Sequence, residues 1–156
     1  MKRIFLILTI ACGALMMAAQ SRLHIEALFD GRYQNSPSAT EVLVTGSKAQ
    51  KLGLSEYHSL TLTDAAQFAA VEQAVTRDGL KAKEKEVEYR GGHLYYGFYV
   101  LQPAQATSVR KKPAEPQRYL FYLNQSLART SPVDKVTLIY MRGYLSVAEV
   151  RKLIGR

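Results

Sequence analysis

Glu84, Glu86 and Glu88 stand at alternate positions ahead of Gly91-Gly92, and His93, Tyr95 and Tyr99 follow it. Alternation of period two is the spacing of one strand face. Two adjacent glycines supply the positive φ that both central residues of a primed hairpin turn need. A two-residue turn there predicts Arg90 opposite His93, Glu88 opposite Tyr95, Glu86 opposite Gly97 and Glu84 opposite Tyr99. One face of the hairpin would then carry a row of carboxylates beside two tyrosines and a histidine. The other would carry Val87, Tyr89, Leu94, Tyr96, Phe98 and Val100, and is expected to be the buried one. Carboxylates accept hydrogen bonds and attract cations, while tyrosine rings offer broad amphipathic contact. Such a face suits a sugar, a basic peptide or a cation. Charges on an outer strand also discourage edge-to-edge pairing, so a plain solvated face is the alternative.

Other chemistry is sparse. His24, His58 and His93 fall on separate elements without the short spacing of metal ligands, so no metal site and no cofactor are expected. There is no Gly-x-Ser-x-Gly elbow, phosphate loop, Gly-x-Gly-x-x-Gly or His-Glu-x-x-His. The absence of these motifs leans away from an enzyme. Four Asp and nine Glu leave one alternative, a carboxylate-based envelope hydrolase acting on glycan.

The elements that would position these residues follow from periodicity and turn chemistry. Leu23 to Phe29 predicts two turns of helix ended by Asp30-Gly31, and Glu41 to Thr45 a short strand. Ser47 predicts about a turn of helix closed at Gly53, and Tyr57 to Thr63 alternates as a half-buried strand does. Asp64 to Asp78 predicts the main interior helix, opened by Asp64 and Gln67 in capping-box spacing and ended by Gly79. Four more strands are predicted over about 83–90, 93–101, 117–125 and 134–142. Ser146-Val147-Ala148-Glu149 is a second capping box that opens a final helix. Between the middle strands, about 102–117 carries three Pro and Arg110-Lys111-Lys112 and predicts a mobile loop. The fold class expected is α+β: a mainly antiparallel sheet of about five or six strands with two main helices packed on one face.

The chain has 156 residues, 47 % hydrophobic and 22 % charged, the balance of one globular domain. Met1-Lys2-Arg3, the apolar run Ile4 to Ala19 and the small residues Ala18-Ala19 have the layout of a signal peptide cleaved near Ala19. The run is shorter than the ~20 residues of a membrane-spanning helix. Cys12 lacks the leucine three positions earlier that marks a lipidated cysteine, and is expected to be discarded. Domain 20–156 would then hold no cysteine, hence no disulfide or thiolate site. The net charge of +8 favours acidic partners. Export and the lack of a dense basic stripe argue against nucleic acid.

The order of elements and the ending Asp134-Lys-Val-Thr-Leu-Ile-Tyr-Met-Arg-Gly143-Tyr-Leu-Ser146-Val-Ala-Glu149-Val resemble small exported proteins of Bacteroidota in families of unknown function. The resemblance covers most of 22–156. It implies a periplasmic or secreted α+β protein and carries over no active-site residue. A non-enzymatic envelope protein acting as a binding or interaction module is therefore expected, its partner an envelope protein or glycan. Its candidate binding residues are Glu84, Glu86, Glu88, His93, Tyr95 and Tyr99.

Overall fold

A computed structural model describes residues 22–103, 115–130 and 133–155. The leader at 1–19, Cys12 and most of the loop expected at about 102–117 lie outside the described residues.

Six strands form one sheet: β1 (Ala39–Thr45), β2 (Leu54–Leu62), β3 (Glu84–Arg90), β4 (His93–Leu101), β5 (Gln117–Asn124) and β6 (Val136–Gly143). Their order is β1-β2-β6-β5-β4-β3, and every neighbouring pair is antiparallel. The helices are α1 (Gly46–Gln50), α2 (Phe68–Gly79) and α3 (Val147–Leu153), with 3₁₀ turns at His24–Leu28, Ala65–Gln67 and Gln125–Leu127. The order explains α2. After β2 the chain must pass β6, β5 and β4 to reach the far edge at β3, and α2 makes that crossing against the sheet. Asp64 starts the crossing by accepting the Ala66 N–H at 3.0 Å. Phe68, Val71, Ala74 and Val75 are the helix face buried on the strands.

Each face of the sheet has its own core. On the first, α2 and the 3₁₀ turn bury Ile25, Leu28, Val71 and Val75 against Leu60, Leu62, Leu94, Tyr99, Leu101, Leu120, Tyr122, Val136 and Leu138. On the second, Ala49 of α1 and Val150 of α3 pack with Leu54, Tyr96, Phe98, Val100, Tyr119, Phe121, Ile139 and Met141. The expectation of two main helices on one face is corrected here. Only α2, with twelve residues, is a main helix, α3 has seven, and the two lie on opposite faces. The reason is visible in β4 and β5, which are buried at almost every position, as strands covered on both sides must be.

Candidate functional site

Gly91 and Gly92 take φ of 58° and 85°, so the hairpin turn forms where two positive-φ residues allow it, with Arg90 opposite His93. The register then shifts. Tyr89 faces Leu94, but Glu88 faces Tyr96, Val87 faces Gly97, Glu86 faces Phe98, Lys85 faces Tyr99 and Glu84 faces Val100. Tyr95 is the extra residue of a bulge on β4. The pairings of Glu88 with Tyr95, Glu86 with Gly97 and Glu84 with Tyr99 are therefore corrected, as is the face they implied. The bulge turns Tyr96, Phe98 and Val100 into the second core while Leu94, Tyr99 and Leu101 enter the first. Tyr99 is buried to 2 % exposure and is separated from the glutamates. Tyr89, expected inside, is 54 % exposed because edge strand β3 runs past the helix that covers its neighbours.

Two of the three glutamates already hold cations. Arg151 of α3 donates to Glu86 at 2.6 Å, and its guanidinium lies 4.8 Å from the Phe98 ring centroid. Arg90 donates through Nε to Glu88 at 2.9 Å, and its guanidinium covers the Tyr95 ring at 3.4 Å. His93 turns to α2, its Nδ1 3.2 Å from Glu72, whose other oxygen accepts the Leu94 N–H at 2.8 Å. His93 thus helps pin the hairpin tip to α2.

Beside that tip opens a concavity of about 720 Å³. Arg90, Gly91 and Tyr95 form one wall; Leu127, Ala128, Arg129 and Thr130 form the other. Arg90 reaches across to donate to the Leu127 carbonyl at 3.3 Å. The Arg129 guanidinium and the Thr130 hydroxyl, facing a wall made by Arg90 stacked on Tyr95, can hold a small polar group bearing negative charge.

The first face also carries polar contacts that the sequence does not bring together. Glu41 and His58 sit on β1 and β2 with His58 Nε2 and Glu41 Oε1 2.7 Å apart, and Phe29 stacks on the imidazole at 3.8 Å. A smaller hollow of about 480 Å³, lined by Tyr33, Gln34, Ala39, Thr40, Glu41 and Leu43, adjoins this pair. Arg118, 7 % exposed, spends Nε and Nη2 on the Gln102 carbonyl. Asp78, also buried, accepts N–H groups from His24 and Ile25. The weak signal for Asp78 was an acid in the last turn of a helix, where the dipole disfavours it. Neither hollow gathers two carboxylates. Among the described residues no group of three His, Cys, Asp or Glu could hold a metal ion. No helix among them is long and apolar enough to cross a membrane.

Residues 12–154 match the model of a family of unknown function, DUF6108. The chain matches no curated protein and no solved structure.

Proposed function

Starting from the fact that the chain belongs to the DUF6108 family of unknown function, we propose that it is an exported, non-enzymatic binding protein of the cell envelope that takes an anionic glycan at the tip of the β3–β4 hairpin. The carrying observation is the open concavity in which Arg129 and Thr130 face Tyr95, with Arg90, paired to Glu88 and to the Leu127 carbonyl, bracing the two walls. Arginine and tyrosine give charge-assisted hydrogen bonds and rigid contact area at small conformational cost. The Glu84, Glu86 and Glu88 row flanks this site. Glu86 and Glu88 are neutralised by Arg151 and Arg90, which weakens the case for a basic peptide or a cation. Tyr99 lies outside the site, and His93 supports the tip from behind. The export part of the reading rests on the basic start, apolar run and small-residue end of residues 1–19.

The glycan-hydrolase reading needs a pair of carboxylates roughly 5–10 Å apart across a cleft. The hairpin concavity has no carboxylate in its lining, and the hollow by β1 has Glu41 alone.

Titration of the protein with a uronate oligosaccharide tests the binding reading. Binding should weaken by roughly 1–3 kcal/mol in Tyr95→Ala and in Arg129→Ala, and be unchanged in Glu84→Gln. Capture of a basic peptide that is lost in Glu84→Gln, with no response to the oligosaccharide, would return the site to the acidic row. Mass spectrometry of protein from its producing cell tests export: the first residue should lie near Gln20, and an intact Met1 would overturn it.

A further inference from the structure

The hairpin tip that carries Tyr95 overhangs the sheet. The β4–β5 ladder begins only at the Tyr96–Leu123 pair, and β3 is an edge strand. Arg90, His93 and Leu94 therefore have strand partners only within the hairpin. A two-stranded ribbon closed by two glycines is marginal on its own. The bulge lies in this overhang. Tyr95 and Tyr96 are consecutive, yet both pack toward the second core, while Leu94 is fully buried in the first. Regular alternation does not allow that, and a bulge re-aims a side chain at the cost of ladder hydrogen bonds.

Helix α2 supplies what the ladder lacks. Glu72 follows Val71, which is wholly buried and fixes that turn of the helix on the sheet. One Glu72 oxygen accepts the Leu94 N–H at 2.8 Å, and the other lies 3.2 Å from His93 Nδ1. The Glu72 side chain is only 20 % exposed although His93 is 66 % exposed, so water competes little for this carboxylate. On the opposite side Arg90, stacked on Tyr95, donates to the Leu127 carbonyl at 3.3 Å. The tip is thus held from two sides, and the tie to α2 is the shorter and reaches the residue directly before Tyr95.

We infer that Glu72 is a positioning residue of the hairpin-tip site. From α2 it holds the backbone at the bulge, and so sets Tyr95, with Arg90 stacked on it, opposite Arg129 and Thr130. The inference rests on the binding reading above for its ligand, but the tether has a readout that needs no ligand. A site fixed before the ligand arrives spends less binding energy on ordering its own side chains.

Nuclear magnetic resonance of the labelled protein, alone and with the uronate oligosaccharide, tests it. In Glu72→Ala the Leu94 amide should exchange about tenfold to a hundredfold faster, while that of Leu120 in the sheet centre is unchanged. The upfield shift that the Tyr95 ring gives the Arg90 side chain should shrink, and oligosaccharide affinity should fall by about tenfold. Glu72→Gln keeps a carbonyl for the Leu94 N–H and should restore all three readings toward the wild type. A wild type that does not take the oligosaccharide would refute the glycan reading alone, with exchange and the Arg90 shift still deciding the tether. A protected Leu94 amide with an unmoved Arg90 in Glu72→Ala would overturn the inference. So would a loosened tip that binds as tightly as before.

Discussion

A methyl group added to Gly97 would lie 2.7 Å from Cε2 of Tyr99, and one added to Gly79 would meet the same ring from the helix side. The Tyr99 ring fills the space that a strand glycine and a helix glycine leave between β4 and α2. Gly79 is required for this close approach: α2 ends there without a positive φ, and Leu80 after it is still right-handed helical.

That packing separates the two tyrosines once paired on one face. Tyr99→Ala should destabilise the protein by about 3–5 kcal/mol, the cost of emptying a large buried aromatic site. Gly79→Ala and Gly97→Ala should each cost about 1–3 kcal/mol by overpacking against the ring. Tyr95→Ala, which removes a half-exposed ring under Arg90, should cost about 1 kcal/mol or less. Urea unfolding of the four variants ranks them directly, and equal costs for Tyr95→Ala and Tyr99→Ala would contradict the two-sided strand.

The hairpin, the six strands, the main helix and the Ser146 capping box were all legible because each rests on local chemistry. Two glycines force a turn, and a serine three residues before a glutamate starts a helix. The bulge at Tyr95 was not, since it answers to what lies on each side of β4. A hint was present in Leu94 to Leu101, which runs without polar alternation as a strand buried on both faces does. Treating one face as solvated put Tyr99 beside the glutamates. The concavity at the hairpin tip was half visible through Tyr95. Its far wall, residues 127–130, comes from a loop that only the meander of β5 and β6 brings near.

Buried tyrosines set an alkaline limit. Burial pushes the phenols of Tyr99 and Tyr122 well above their ordinary value, and those of Tyr119 and Tyr140 upward as well. In the unfolded chain these groups lose their protons near pH 10, while the folded protein retains them. The unfolded state then binds fewer protons, so stability is intact below about pH 10 and falls as pH rises beyond it. Tyrosinate absorbance and far-ultraviolet dichroism should change together in one alkaline transition. Complete titration of tyrosine near pH 10 with an unchanged dichroism spectrum would refute this.

Asp78 fastens the first described residues to α2. It accepts the His24 N–H at 2.8 Å and the Ile25 N–H at 3.0 Å, capping a 3₁₀ turn from a distant helix, and His24 Nδ1 lies 2.8 Å from the same carboxylate. Asp78→Ala should cost about 1.5–3 kcal/mol, the range for hydrogen bonds to a charged group. The loss should concentrate at the N-terminal side, so limited proteolysis should cut within 22–33 well before the sheet. Uniform cleavage across the chain would place the effect elsewhere.

The final helix has only seven residues, too few to hold itself by propensity, and depends on its cap and on Val150 in the second core. Ser146 Oγ accepts the Glu149 N–H at 3.3 Å, while Glu149 accepts the Ser146 N–H at 2.7 Å. The Ser146 hydroxyl, which donates to the Glu149 carboxylate at 2.7 Å, and after it the Ser146 N–H hold that carboxyl below its ordinary range. A depressed carboxyl contributes stability above its unfolded pKa and loses it as pH falls through the folded one. Ser146→Ala should cost about 1 kcal/mol at neutral pH. Its deficit against the wild type should shrink below about pH 4, once protonation of Glu149 has opened the box in both proteins. A double-mutant cycle with Glu149→Gln should show coupling at pH 7 that declines as the pH falls through the acid range. Coupling unchanged across that range would mean that Val150, and not the charged cap, holds α3 against β4.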